Sequence, residues 1–514
     1  MQKQFTEKSF TFFTINFVIG VGFITTVSTV LQISYWGYLV LLLAGFCVFG
    51  VALVYSRLAN TYNDHYGGSY SFARHLDDDV ANNRAIRSKN KWLDNLVFFV
   101  GWNQFIQSPL LAAIAPLFLA DAVEIVIPHD YEYRTLIIWI TRVVSILFFI
   151  GIVALSTIGL KTNKKIIALS SLGKWFILVL AIILMIIAIA QNGTLPHLNI
   201  DKDPKFNTIQ PKLIISNTLL FMYAFSGIED VSSMVKDVKF KNFRKILLIS
   251  FACIFTFYLI FFTFFLFLPE ELKILLVNSA NLSTIYSYSL GLSGVILFII
   301  GFLSNDLSFK LFQSVTTARR VVPLAEDTYF PKSLAKRNKN GEFKNAIVFS
   351  TVVILVSMVV LWIIPSFMDE QGSKEFFDGT IIGTTTALFI EDIITLNMAF
   401  ALEKKKRIPK IPWLEKIVYI VTMIAIFFLL MLFYTPWVIS DSWGIKNTVA
   451  LVSYLAFVGF GFLLKKWYQY NISPKIRTKT LFRSQMYNPK PQKNAKKIYS
   501  HKHTRKHYHW NNHH

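Results

Sequence analysis

Apolar residues along this 514-residue chain fall into blocks of about twenty, separated by short polar stretches. At 1.5 Å per residue, a helix of that length crosses the ~30 Å hydrocarbon core of a bilayer. Twelve such spans are predicted: Phe10–Leu31, Trp36–Ala59, Leu96–Ala120, Leu136–Leu160, Ile166–Ala190, Leu213–Val235, Ile246–Leu268, Ile285–Phe312, Ala346–Pro365, Thr380–Ala401, Trp413–Thr435 and Thr448–Leu464. The first block is longer than a signal-peptide core and no small-residue cleavage site follows it, so it reads as a mature span. The expected class is an all-α polytopic membrane protein.

A net charge of +22 would suggest nucleic acid if it were spread evenly, but its distribution follows topology. The N-terminus and the loops after the even-numbered spans carry Arg84, Arg87, Lys164, Lys165, Arg244, Lys245, Arg319, Arg320 and the run "EKKKR" from Glu403 to Arg407. The opposite loops hold only Arg134, Lys202, Lys205, Lys212, Lys273, Lys374 and Lys446. By the positive-inside rule both termini are expected in the cytoplasm of a multi-pass plasma-membrane protein, and no nucleic-acid partner is implied. A basic, His-rich tail over residues 467–514 is expected to be disordered and drawn to anionic membrane lipids. Its histidines lack fixed ligand spacing, so no metal is assigned. Cys47 and Cys253 fall inside spans and read as packing residues, not a disulfide.

Two spans are weakened at their centres. "NFVIGVGFITT" (Asn16–Thr26) sets Gly20 and Gly22 two apart, and "FMYAFSGIEDVSSM" (Phe221–Met234) sets Ser226 and Gly227 before Glu229 and Asp230. Each interior glycine costs a helix roughly 0.5–1 kcal/mol relative to alanine, and an unpaired backbone group in hydrocarbon costs several more. Such breaks persist beside protein or a watery cavity. Small residues can also serve close helix packing, but a spacing of two points Gly20 and Gly22 to opposite faces. Interrupted spans five apart and of opposite orientation point to an inverted repeat with a central binding site.

Five motifs in order resemble the amino acid–polyamine–organocation transporters. "IGVGFI" (Ile19–Ile24) is similar to their glycine-rich first helix, and "RLANTYNDHYGGSYSFARHL" (Arg57–Leu76) to their second-loop pattern. "FVGWNQF" (Phe99–Phe105) resembles the Gly-Trp opening of the third helix, and "YAFSGIEDVSSMVKDVK" (Tyr223–Lys239) the sixth-helix pattern. "RVVPLAEDTYFPKSLAKRN" (Arg320–Asn338) matches the pattern after helix eight without a gap. Departures include Arg57 where the family usually has glutamate, Val21 in place of Ser or Ala, and Thr328 where glycine is common. The resemblance implies a LeuT-type five-plus-five inverted repeat, about 10–190 and 213–401, with two extra helices at about 413–464, in one transporter domain over residues 1–466.

That resemblance also implies an amino acid site built on backbone. N–H groups at Val21, Gly22 and Phe23, at the positive end of a half-helix, are expected to hold the substrate carboxylate. Carbonyls near Val18, Ile19, Tyr223, Ala224 and Ser226 are expected to hold the ammonium, with Gly20 and Gly227 permitting close approach. Tyr223 is expected to act as a lid or cation–π contact. Glu229 reads as a structural or proton-sensitive group on the sixth helix.

Lys174 occupies the position where some proton-coupled members of the family carry a lysine, so protons are the implied coupling partner; snorkelling to the surface is its plainer alternative. Asp306 and Lys310, four apart, suit an internal ion pair. Asn103, Gln104 and Gln107 read as candidates to face the cavity, and Glu391 and Asp392 either serve a cationic substrate or meet Arg142. No phosphate loop, catalytic constellation or cofactor motif is present in the sequence, so an enzyme is not expected. The expected function is secondary active transport of amino acids by alternating access. The alternatives are a polyamine or organic-cation exchanger, and an amino acid receptor that does not transport.

Overall fold

The computed structural model describes residues 4–82, 84–112, 127, 131–191, 211–279, 282–368, 370–439 and 442–471. The tail from residue 472, and the parts of the third span and fifth loop that fall between these ranges, lie outside the described residues. The helices are α1 (Glu7–Val18), α2 (Val21–Leu31), α3 (Gly37–Thr61), α4 (Ser69–Arg74), α5 (Asp78–Ala81), α6 (Lys91–Ala112), α7 (Arg134–Ser156), α8 (Leu160–Gln191), α9 (Pro211–Phe225), α10 (Phe243–Leu266), α11 (Glu270–Ser279), α12 (Ser283–Glu326), α13 (Lys344–Ile363), α14 (Glu370–Lys404), α15 (Trp413–Tyr434) and α16 (Ile445–Asn471).

Ten helical segments among the described residues are long and apolar enough to cross a membrane. The two predicted spans missing from that set fall short for different reasons. The sixth ends as α9 at Phe225 and resumes only as a 3-10 segment, Asp230–Asp237, so the interruption expected at Ser226–Gly227 divides it into pieces too short to count as one span. The third is described only to Ala112 and carries Asp94, Asn103, Gln104 and Gln107. The first predicted span is likewise two helices, α1 and α2, parted at Ile19–Gly20, where Ile19 leaves the helical region at ψ 88°. In α12 the backbone departs from helical geometry at Gly291, with φ +61°.

Packing gathers the two broken helices at the centre of the unit that ends at Lys465. Helix α9 packs on α2, α3 and α14, while α1 packs on α10 and α12. A layer of aromatic rings fills the space behind the breaks. Phe23 stacks on Tyr258 at 4.5 Å with the rings nearly parallel, and Phe221 and Phe225 meet the same tyrosine edge-on. Rings packed in this way gain roughly 0.5–1.5 kcal/mol per pair beyond their burial. They hold the breaks in register.

Outside the spans, the sequence motifs bind one another. Asp327, just past α12, accepts a hydrogen bond from Tyr70 at 2.5 Å and pairs with Arg74 at 2.7 Å, joining the glycine-rich second loop to the segment after helix eight. Burial pushes the Asp327 carboxyl up to about 6, against the opposing pull of Arg74 and Tyr70. Arg57, the reversed charge in that loop motif, forms a two-pronged bond to Glu415 on α15, which Arg244 shares. A further tie was invisible in the hydropathy pattern: Phe5–Thr6 pairs in parallel with Val238–Lys239, linking the chain before α1 to the chain after the second break.

Residue exposure yields a test of topology. Glu271 and Asn340 are exposed positions flanking α12. Cysteines placed singly at them, in a background lacking Cys47 and Cys253, should react with an impermeant maleimide from opposite faces of the membrane. Labelling from one face would mean that α12 does not cross.

Candidate functional site

The backbone at the two breaks must find partners inside protein, and the structure supplies them from three directions. Lys174, on α8 and 0% exposed, donates to the carbonyls of Asn16 and Ile19, the latter at 2.5 Å. The ammonium therefore turns inward onto the end of α1, and the snorkelling alternative is excluded. Tyr258, on α10, donates to the Ala224 carbonyl at 2.5 Å and approaches that of Val18 at 3.4 Å, so one hydroxyl touches both broken helices. At the second break Gly227 takes φ +115°, and its N–H donates to the Glu229 carboxylate at 2.9 Å. A carboxylate two residues on is thus the local cap for the loosened turn.

Of the sequence-predicted substrate residues, the structure brings Val18, Gly22, Tyr223 and Ser226 to one narrow cleft. Phe17, Asp230 and Phe309 complete its lining. The cleft has room for about one water molecule, so this conformation is closed to anything as large as an amino acid. Gly22 marks the closest approach: a Cβ there would lie 2.5 Å from the Tyr223 carbonyl oxygen and 3.1 Å from its carbon. Close packing and ligand access thus fall on the same glycine. Gly20 is turned towards α12, its Cβ position 3.6 Å from Phe309 and 3.7 Å from Asn305. Val21 begins α2, and Phe23 lies behind the cleft, against Tyr258.

Two sets of expected site residues meet other contacts in this conformation. The carbonyls assigned to the substrate ammonium are already engaged in this state, Ile19 by Lys174, Ala224 by Tyr258 and Tyr223 by the Ser226 N–H at 3.2 Å. Each carbonyl has two lone pairs, so engagement lowers its capacity without abolishing it. The polar residues of α6 are not among those that line the cleft. The Asn103 side chain donates to Ala387 at 2.7 Å, that of Gln107 donates to Glu391 at 2.6 Å, and the backbone carbonyl of Gln104 accepts from Arg320. Glu391 is also held by Tyr55 and Ser69, and Arg142 is not among its partners. Asp306 and Lys310 do form the expected ion pair, at 3.2 Å.

Sequence reasoning missed Tyr258, Asp230 and Arg320. Tyr258 is the single hydroxyl-bearing ring in a phenylalanine-rich run, a weak signal but a legible one. Asp230 was overshadowed by its neighbour Glu229, and Arg320 was absorbed into the charge count of its loop. In the structure Arg320 is buried and pairs with Asp230.

These features define a multi-pass helical membrane protein with two broken helices meeting at an internal cleft. The family model for "amino acid permease" matches residues 5–462, and the chain belongs to that family, within the amino acid–polyamine–organocation superfamily. It is 30% identical over 497 residues to uncharacterized protein MG225 of Mycoplasma genitalium, covering 91% of this chain and 96% of that one. It is also 30% identical over 480 residues to uncharacterized protein MG226 of the same organism, covering 90% and 95%. An MG226 homolog of Mycoplasma pneumoniae is 29% identical over 450 residues, covering 82% and 86%.

The Gly22 contact generates the second prediction. Gly22→Val should abolish substrate binding while the purified protein keeps its helical circular dichroism, because a branched Cβ cannot sit against the Tyr223 carbonyl without parting α2 from α9. Unchanged affinity in the mutant would refute the role of this contact.

Proposed function

We propose that the chain is a secondary active transporter of amino acids in the plasma membrane, working by alternating access, with both termini cytoplasmic. The observation that carries this reading is the meeting of two helix breaks, five spans apart, at one cleft lined by Gly22 and Tyr223. In the proposed twelve-helix, five-plus-five inverted repeat, one repeat rocks against the other around that fixed point. The starting N–H groups of α2, at Val21, Gly22 and Phe23, bind the substrate carboxylate. The carbonyls at Val18, Ile19, Tyr223, Ala224 and Ser226 bind its ammonium. Gly20 and Gly227 let the backbone come close, and Tyr223 closes over the substrate.

Coupling is assigned to Lys174. Its ammonium ties α8 to the end of α1 through two carbonyls, and hydrogen bonds to a charged group contribute about 1.5–3 kcal/mol each. Loss of the proton weakens that tie, frees α1 to move relative to α8, and links proton release to opening of the cleft. Glu229 holds the second break in shape through Gly227 and takes no direct part in substrate contact.

Uptake of labelled amino acids into proteoliposomes, with and without an inward proton gradient, tests the reading. Gradient-dependent accumulation of an amino acid is expected, and failure to move any amino acid would overturn it. Lys174→Ala should lose gradient-driven accumulation while retaining substrate binding, compared at equal amounts of reconstituted protein. Accumulation equal to wild type in that mutant would remove Lys174 from the coupling mechanism and leave the substrate site standing.

A further inference from the structure

Asp230 is the one carboxylate lining the cleft among the described residues. It shares that lining with the rings of Phe17, Phe309 and Tyr223, the first two stacked on each other at 5.1 Å with their planes 13° apart. Beneath it lies Arg320, fully buried, which pairs with the Oδ1 atom of Asp230. Arg320 is anchored independently on α6, where it donates to the Gln104 carbonyl at 2.8 Å and to the Ser108 hydroxyl at 2.9 Å. An ionised carboxylate accepts about four hydrogen bonds, and no second donor among the described residues is recorded at Oδ2.

The consequences for a ligand follow from this arrangement. An anionic side chain entering the cleft meets Asp230 and is repelled, and repulsion is strong where water is scarce. An apolar side chain strips water from Asp230 and returns no hydrogen bond. A cationic side chain meets a carboxylate with spare acceptor capacity and ring faces that attract positive charge.

We infer that the cleft selects amino acids whose side chain ends in a cation, with Asp230 receiving that cation and Arg320 orienting Asp230. This inference rests on the cleft being the amino acid site, as proposed above.

Titration calorimetry on the purified full-length protein, with pairs of near-isosteric ligands, tests it. Arginine is compared with citrulline and lysine with norleucine, the members of each pair differing chiefly in side-chain charge. The cationic member should bind roughly ten- to a hundredfold more tightly, the size of one charge-assisted hydrogen bond. Asp230→Asn should bring both ratios to within about threefold of unity while leaving citrulline and norleucine within about threefold of their wild-type affinities. The wild-type ratios decide the matter even if that variant fails to fold, and Asp230→Asn combined with Arg320→Gln removes both buried charges together as a second variant.

Equal or reversed preference in the wild type overturns the inference and leaves the amino acid reading intact, provided some amino acid binds. Equal weakening of all four ligands by Asp230→Asn also overturns it, since the carboxylate then acts only on structure. Agmatine, which is arginine without its carboxylate, separates the two readings. Binding of agmatine as tight as arginine, lost in Asp230→Asn, supports the cation subsite and overturns the amino acid site around it. Absence of binding by any ligand overturns both.

Discussion

A backbone polar group inside a membrane protein cannot turn to water, and two helices here are broken where that constraint is most severe. The structure answers with donors and acceptors from elsewhere in the bundle. The Lys174 ammonium serves the carbonyls at the end of α1, the Tyr258 hydroxyl serves Ala224 and reaches towards Val18, and the Glu229 carboxylate serves the Gly227 N–H. Two further helices, α8 and α10, are thereby tied to the breaks, and the second break caps itself through Glu229. Close approach of Gly22 to the Tyr223 carbonyl, and the stacking of Phe23 on Tyr258, follow from that arrangement.

Buried charge forms a second level built on the first. Arg320 with Asp230 and Lys310 with Asp306 are interior ion pairs, while Glu391 is held by Tyr55, Ser69 and Gln107. Interior pairs add little net stability, because desolvation offsets most of their attraction, but breaking one by removing a single partner is costly. The contacts of Arg320 and Glu391 fix which faces of α3, α6, α12 and α14 meet. The pairs at the basic end of the bundle, such as Arg319 with Asp237 and Glu342, do the same for the loops.

Both breaks were legible in the sequence because glycine and a small polar residue at mid-span have a local energetic signature. The 306–310 ion pair was legible because its spacing of four is a property of one helix. What escaped was every partner whose meaning is tertiary. Tyr258 differs from the phenylalanines around it by one hydroxyl, and only the fold puts that hydroxyl beside Ala224. Arg320 looks like a loop cation until α12 is seen to continue as a helix to Glu326 and bury it. The pairing of Phe5–Thr6 with Val238–Lys239 joins segments more than two hundred residues apart, with no periodic pattern in either to announce it. Asn103 and Gln107 read as candidates for the cavity because polar residues in a span suggest water, whereas here their side chains donate to α14.

The closed cleft bears on how such a site opens under the proposed mechanism. A cavity with room for about one water cannot admit substrate unless α2 and α9 part or the rings of Tyr223 and Phe309 move. Moving α9 away from α10, or the end of α1 away from α8, would strand carbonyls that Tyr258 and Lys174 now satisfy, at roughly 1–3 kcal/mol for each group left unpaired. A substrate ammonium brings three donors to those same carbonyls, and a carboxylate brings acceptors to the start of α2. Exchange of protein donors for ligand donors leaves the count of satisfied groups nearly unchanged, whereas opening without ligand leaves those groups to water. Under the proposed mechanism, ligand or water therefore takes over each backbone group that opening uncovers, and only the ligand brings charged partners to both breaks at once.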